Sequence, residues 1–95
     1  MNDEYQSNLR IKELREHLNL SRDEFCLITG IGGNQLANIE NKKQKTPAYI
    51  IESIEKIYSN YGYWLATGKT LPECEQTSPE LEETRNKQNL LTGTN

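Results

Sequence analysis

The stretch Ser21–Asn41, SRDEFCLITGIGGNQLANIEN, decides the fold. Ser21 is a good helix N-cap, and Glu24 three residues later completes a capping box. Phe25 and Ile28 lie three apart and so fall on one helical face. The apolar pattern stops at Gly30, which can take the left-handed conformation and turn the chain sharply. Ile31 points back inward, and Gly32-Gly33 opens a second helix whose inner face is Leu36 and Ile39. Asn34, Gln35 and Asn38 lie largely on the outer face of that helix. The spacing predicts two short helices joined by a tight turn.

Upstream, Asn8 can cap a helix running to about Leu18, in which Ile11, Leu14 and Leu18 share a stripe. Leu20 sits just before the capping Ser21, where a hydrophobic staple packs. Downstream, Lys42, Lys43 and Lys45 crowd the loop Asn41–Thr46. Thr46 then reads as a cap and Pro47 as the first helical residue. From Pro47 to about Ser59, Ile50, Ile51, Ile54, Ile57 and Tyr58 mark a hydrophobic helix, the expected pillar of the core. Trp64 and Leu65 are placed to pack a short fifth helix that Gly68 ends.

The termini are more polar. Met1–Ser7 is expected to be a loose leader. Residues 70–95 are polar and acidic, and the plain expectation there is disorder. The sharper alternative is a helix opened by Ser78-Pro79-Glu80, with Leu81 and Leu91 thinly spaced along it, used for self-association.

A length of 95 residues allows one domain with a tail. A helical bundle of about 60–70 residues can fold without disulfides or a metal. No run approaches the roughly 20 apolar residues of a membrane span, and the polar, acidic start does not read as a secretory signal. Cys26 falls in an apolar helical pattern and Cys74 in a polar stretch, which suits reduced thiols in a cytoplasm better than a disulfide frame. The formal net charge is −3. Residues 1–69 carry nine basic and nine acidic side chains, and residues 70–95 carry two basic and five acidic, so the acidity belongs to the tail. A neutral folded part is compatible with nucleic-acid binding, which needs a basic surface locally rather than a basic total.

A gripping helix, a Gly turn and a second helix with a polar outer face is the arrangement that places a helix in the DNA major groove. The stretch resembles the helix-turn-helix of the Cro- and phage-repressor-type (XRE-like) family. Cys26 stands where that family has a small residue, Gly30 at the turn, and Ile31, Leu36 and Ile39 at the inward positions. Glu40-Asn41 matches the pair that closes the recognition helix, and WLATG at 64–68 is similar to a common family ending. Tyr63 departs from the pattern, because the family usually has a polar cap such as Asp there. The resemblance covers residues 8–69. It implies an all-α, five-helix lambda-repressor-like DNA-binding bundle, followed by a polar acidic C-terminal tail at 70–95.

Carried over one position at a time, the resemblance puts base contacts at Gly33, Asn34, Ala37 and Asn38. Gly33 has no side chain to offer, although its backbone can approach a phosphate closely. Asn34 and Asn38 suit adenine, because an Asn amide pairs two-fold with N6 and N7, and Ala37 suits a thymine methyl. Gln35 is a neighbour able to serve either strand. All are otherwise ordinary polar residues of a helix exterior. Phosphate contacts are implied for Arg22, Asn41, Lys43 and Lys45, with Arg22 replacing a customary Gln at the start of the gripping helix. Arg22 would otherwise be a plain surface residue that the helix dipole mildly disfavours, and a lysine-rich loop is usually just solvated. Arg15 and Glu40 stand at the separation of a family ion pair, expected to clamp the first helix to the recognition helix.

Other chemistry has little support. His17 has no second ligand at metal spacing, no nucleophile stands with a base at motif spacing, and Gly30, Gly32 and Gly33 fit no phosphate loop. Trp64 with Tyr58, Tyr61 and Tyr63 could stack single-stranded bases, but core packing is the simpler role for Trp64. No enzymatic activity, cofactor or metal is expected. The expected function is a cytoplasmic, nucleoid-associated transcriptional regulator of a bacterium or phage, a repressor bound as a homodimer to a pseudo-palindromic operator. Its dimer surface would come from the fifth helix, the Tyr-rich turn or the tail. Two alternatives stand beside it: the antitoxin of a toxin–antitoxin pair whose tail binds a protein partner, and a protein-binding adaptor that kept the fold without DNA binding.

Overall fold

Helix boundaries in this chain are set by local chemistry at each end. The computed structural model describes residues 5–92, with side chains through residue 88. The α-helices are α1 (Gln6–His17), α2 (Arg22–Thr29), α3 (Gly33–Glu40), α4 (Ala48–Ile57), α5 (Gly62–Thr67) and α6 (Pro79–Thr92). Short 3-10 turns at Ser59–Tyr61 and Pro72–Cys74 join the later ones, and no strand lies among the described residues.

The α2 start carries the full capping box. Ser21 Oγ accepts from the Glu24 N–H at 3.1 Å, and Glu24 Oε1 accepts from the Ser21 N–H at 2.8 Å. Gly30 ends α2 at φ 83°, a conformation that costs a side-chain-bearing residue more than glycine. α1 and α3 end differently, in Schellman turns built on non-glycine residues. Asn19 and Lys42 both take φ 60°. Behind them the Leu20 N–H reaches Arg15 O at 3.2 Å and the Lys43 N–H reaches Asn38 O at 2.8 Å. Both turns bring the chain round within a few residues of the helix end.

The core is one cluster. Ile11 and Leu14 of α1, Phe25 of α2, Leu36 and Ile39 of α3, Ile50 and Ile54 of α4, and Trp64 and Leu65 of α5 are all buried. Ile31 of the turn joins them, and Leu18, Leu20, Cys26, Ile51, Tyr58 and Tyr61 pack around the edge. Phe25 and Tyr58 stack with ring centroids 6.5 Å apart.

Several expectations are corrected. Ile28 is exposed rather than inward, as is its neighbour Leu27. At about 100° per residue, the buried side of α2 runs through Phe25, Thr29 and Cys26, which leaves Ile28 beyond its edge. Asn8 does not cap α1. The helix begins at Gln6, because Ser7 and Arg10 are drawn onto Leu65 O at 3.2 and 3.0 Å. Gln6 and Ser7, expected to belong to a loose leader, are therefore helical, and residues 1–4 lie outside the described residues. Thr46 does not cap α4 either, since its hydroxyl donates to Asn8 Oδ1 at 2.6 Å and Pro47 takes the N-cap position. Ile57 is exposed at the end of α4.

The region after Gly68 is ordered onto the bundle. Leu71 and Gln76 form an isolated antiparallel bridge around the second 3-10 turn. The Thr77 N–H then reaches Asn60 O at 2.8 Å, and Thr77, Ser78 and Pro79 are buried. α6 packs against α1, where His17 Nδ1 lies 3.1 Å from Glu83 Oε2. A sixth helix thus stands where the sequence offered either disorder or a helix opened by Ser78-Pro79-Glu80; Leu91 lies outside the described side chains.

Candidate nucleic-acid interface

Two buried polar side chains fix the position of α3. The first is Glu40, whose side chain is 0% exposed. Arg15 of α1 grips it through both ends of its guanidinium: Nε to Oε2 at 2.7 Å and Nη2 to Oε1 at 3.0 Å. Arg22 of α2 adds Nε to Oε1 at 3.0 Å. One carboxylate therefore ties three helices together. Burial alone would raise its pKa, but the hydrogen bonds and charges of Arg15 and Arg22 prevail and hold it below the ordinary carboxylate value. Arg15 also donates Nη1 to Leu20 O at 2.8 Å, linking the same cluster to the turn before α2.

The second is Asn8, at 1% exposure. Its Nδ2 donates to Ile39 O at 2.9 Å and to Gln44 O at 2.7 Å. Its Oδ1 accepts from the Thr46 N–H at 3.2 Å and from Thr46 Oγ1. Both amide donors and both lone pairs are used. Asn8 thereby holds the end of α3 and the lysine-rich loop against α1, a fully satisfied arrangement of the kind that specifies one geometry.

On the opposite side of α3 the surface is polar and open. Asn34 is exposed, Ala37 and Asn38 are half-buried, and neither Asn side chain makes a hydrogen bond among the described residues. Gly32 opens the helix in an extended conformation with no side-chain cap. The N–H groups of Gly33, Asn34 and Gln35 find no acceptor among the described residues, so the start of α3 presents free donors where a helix dipole is positive. A Cβ built on Gly33 meets nothing within 4 Å.

Around this face stand cations. Lys43 and Lys45 are exposed on the loop after α3, beside the neutral, exposed Asn41. Arg22 keeps 42% of its side chain exposed while its Nε is bound to Glu40. The sequence reading gave Arg22 no protein partner; the structure gives it one, which orients the guanidinium beside the start of α2. Gln35 is not a loose neighbour either, since its Nε2 donates to the hydroxyl of Tyr49 on α4. Asn8 and Tyr49 are the two residues of this region that sequence reasoning missed. Tyr49 left one weak signal, an aromatic at the polar start of an otherwise apolar helix.

These helices match a known pattern. A family model described as a helix-turn-helix domain matches residues 8–71. The chain belongs to the XRE-type helix-turn-helix family. In helix-turn-helix terms α2 is the gripping helix, α3 the recognition helix and Gly30-Ile31-Gly32 the turn, and the domain is that of a DNA-binding regulator. No curated protein matches the chain. Among the described residues no helix is long and apolar enough to cross a membrane, and no cluster of His, Cys and carboxylate groups is arranged for a metal ion. Both cysteines are free. Burial first, then Asp23 and Glu40, push the Cys26 thiol above its usual pKa, which disfavours the reactive thiolate.

Proposed function

We propose that this protein is a transcriptional repressor that binds double-stranded DNA as a homodimer at a pseudo-palindromic operator. The observation that carries this reading is the open polar face of α3, with unbonded Asn34 and Asn38 side chains between the free amides of its first turn and the exposed Lys43 and Lys45 of the loop that follows it. In this reading Asn34 and Asn38 pair with adenines, Ala37 touches a thymine methyl and Gln35 serves the flank. Arg22, the Gly33 backbone, Asn41, Lys43 and Lys45 hold phosphates on either side of the groove. The Arg15–Glu40 pair, at 2.7 Å, keeps α3 at the angle these contacts need. One such module makes few base contacts, so a second copy is required for a selective site, with half-sites about one helical turn apart. In this reading the exposed second half of α6, residues 83–88, is open to the second copy or to another protein.

Selection of bound duplexes from a random pool tests the reading. A two-fold symmetric consensus is expected, bound with an affinity that falls steeply with salt through counterion release. On that site the double variant Asn34→Ala/Asn38→Ala should lose about a hundredfold in affinity or more, each pair being worth about 1–3 kcal/mol, while its melting temperature stays unchanged. A folded double variant with full affinity would refute the assignment of the reading face.

A further inference from the structure

The contact between Gln35 and Tyr49 fixes an amide at the edge of the reading face. Gln35 is the third residue of α3, one past Asn34 and three before Asn38, so it flanks the side those two share. Tyr49 is the second residue of α4 and is 55% exposed. The Gln35 Nε2 donates to the Tyr49 hydroxyl oxygen. Gln35 Oε1 and the Tyr49 hydroxyl hydrogen have no partner among the described residues. A glutamine amide that is free to turn over offers a donor or an acceptor with equal ease and so discriminates poorly. The Tyr49 hydroxyl can accept from the amide nitrogen or donate to its oxygen; with the nitrogen bonded, as here, the oxygen is the atom left for a base.

We propose that Tyr49 is a specificity-determining positioning residue, which holds the Gln35 amide so that its oxygen reads one base pair in each half-site as a hydrogen-bond acceptor. This rests on the DNA-binding reading above. An acceptor in the major groove favours a base that presents an amino group, N6 of adenine or N4 of cytosine. It disfavours guanine and thymine, which present O6 and O4 to the same region.

The test uses the full chain. Duplexes are selected from a random pool by the wild type, by Tyr49→Phe and by Gln35→Ala, and melting temperatures are recorded for each. In the wild-type consensus one position per half-site should accept A or C over G or T by roughly fivefold, the value of one net hydrogen bond. Tyr49→Phe keeps the ring and removes the oxygen, so it should bring that position to within about twofold while every other position and the melting temperature stay as they were. Gln35→Ala should lose the same position. A preference for G or T there would overturn the assigned orientation. A Tyr49→Phe consensus identical to the wild type, or one weakened evenly at all positions, would overturn the positioning role while leaving the DNA-binding reading intact. Failure of the wild type to select any sequence would overturn both.

Discussion

The helices α3 and α5 begin alike and are finished differently. Neither has a polar cap of its own: Gly32 precedes one and Tyr61 the other. At α5 the gap is filled from a distance. Gln76 Oε1 accepts from the Tyr63 N–H at 2.9 Å, and Gln76 Nε2 donates to Ser59 O at 3.1 Å. The segment after the WLATG ending thus supplies the cap that Tyr61, at the N-cap of α5, does not. At α3 nothing among the described residues fills the corresponding place. A helix start can stay open only where water or a binding partner meets its donors. α5 sits within the bundle and is closed by the chain, whereas α3 is left open at the surface and lies where the proposed duplex would supply phosphates.

Changes at three positions break or sharpen that contrast. The largest effect should come from the clamp that aims α3. Glu40→Ala strands the Arg15 guanidinium beside a buried site while the half-exposed Arg22 turns to water, and should cost about 3 kcal/mol in unfolding free energy, measured by denaturant titration. The pH dependence has a definite sign. Because the folded carboxyl is held below its ordinary value, its contribution is complete above the unfolded pKa of about 4.3 and is lost as pH falls through the folded value. Acid unfolding should therefore lose that slope in Glu40→Gln, and a slope equal to the wild type would show that the carboxylate is not stabilised by its partners.

A smaller effect is expected at the closed end. Gln76→Ala removes the distant cap of α5 and should cost about 1 kcal/mol of stability, seen as a lower melting temperature, with operator affinity unchanged. Loss of DNA binding without loss of stability would contradict the division between the two helix starts. The smallest effect on stability belongs to the open end. Gly32 has an extended N-cap geometry, and a Cβ there meets nothing within 4 Å. Gly32→Asp should therefore gain a few tenths of a kcal/mol by capping α3. The same carboxylate would occupy the amides and repel phosphate, so duplex affinity measured by anisotropy should fall by roughly tenfold. A variant that gains stability and keeps its affinity would show that the open amides do not meet DNA.

Local features were legible in the sequence. Ser21 and Glu24 are three residues apart, and Gly30 acts on its own backbone, so the α2 boundaries follow from neighbouring residues. The apolar stripes of α1, α3 and α4 follow from helical period, and the five helices expected are present. What escaped were polar contacts made across the fold. Asn8 meets Gln44 and Thr46, Gln35 meets Tyr49, and Gln76 meets Tyr63. Each of these side chains has several local uses, and only tertiary proximity selects among them. That is why Asn8 and Thr46 looked like caps and the segment around Gln76 looked disordered. Ile28 escaped for a different reason: a spacing of three fixes a face only to within about 60°, and in a helix as short as α2 that angle separates core from surface.

Gly33 carries one more consequence. With open space where its side chain would stand, the first position of α3 is a blank in the vocabulary of the proposed reading face. A glutamine or serine written there need displace nothing, and relative to glycine it would also lessen the freedom of the unfolded chain. New target preferences could then arise at this position by single substitutions, without the fold having to be rebuilt around them.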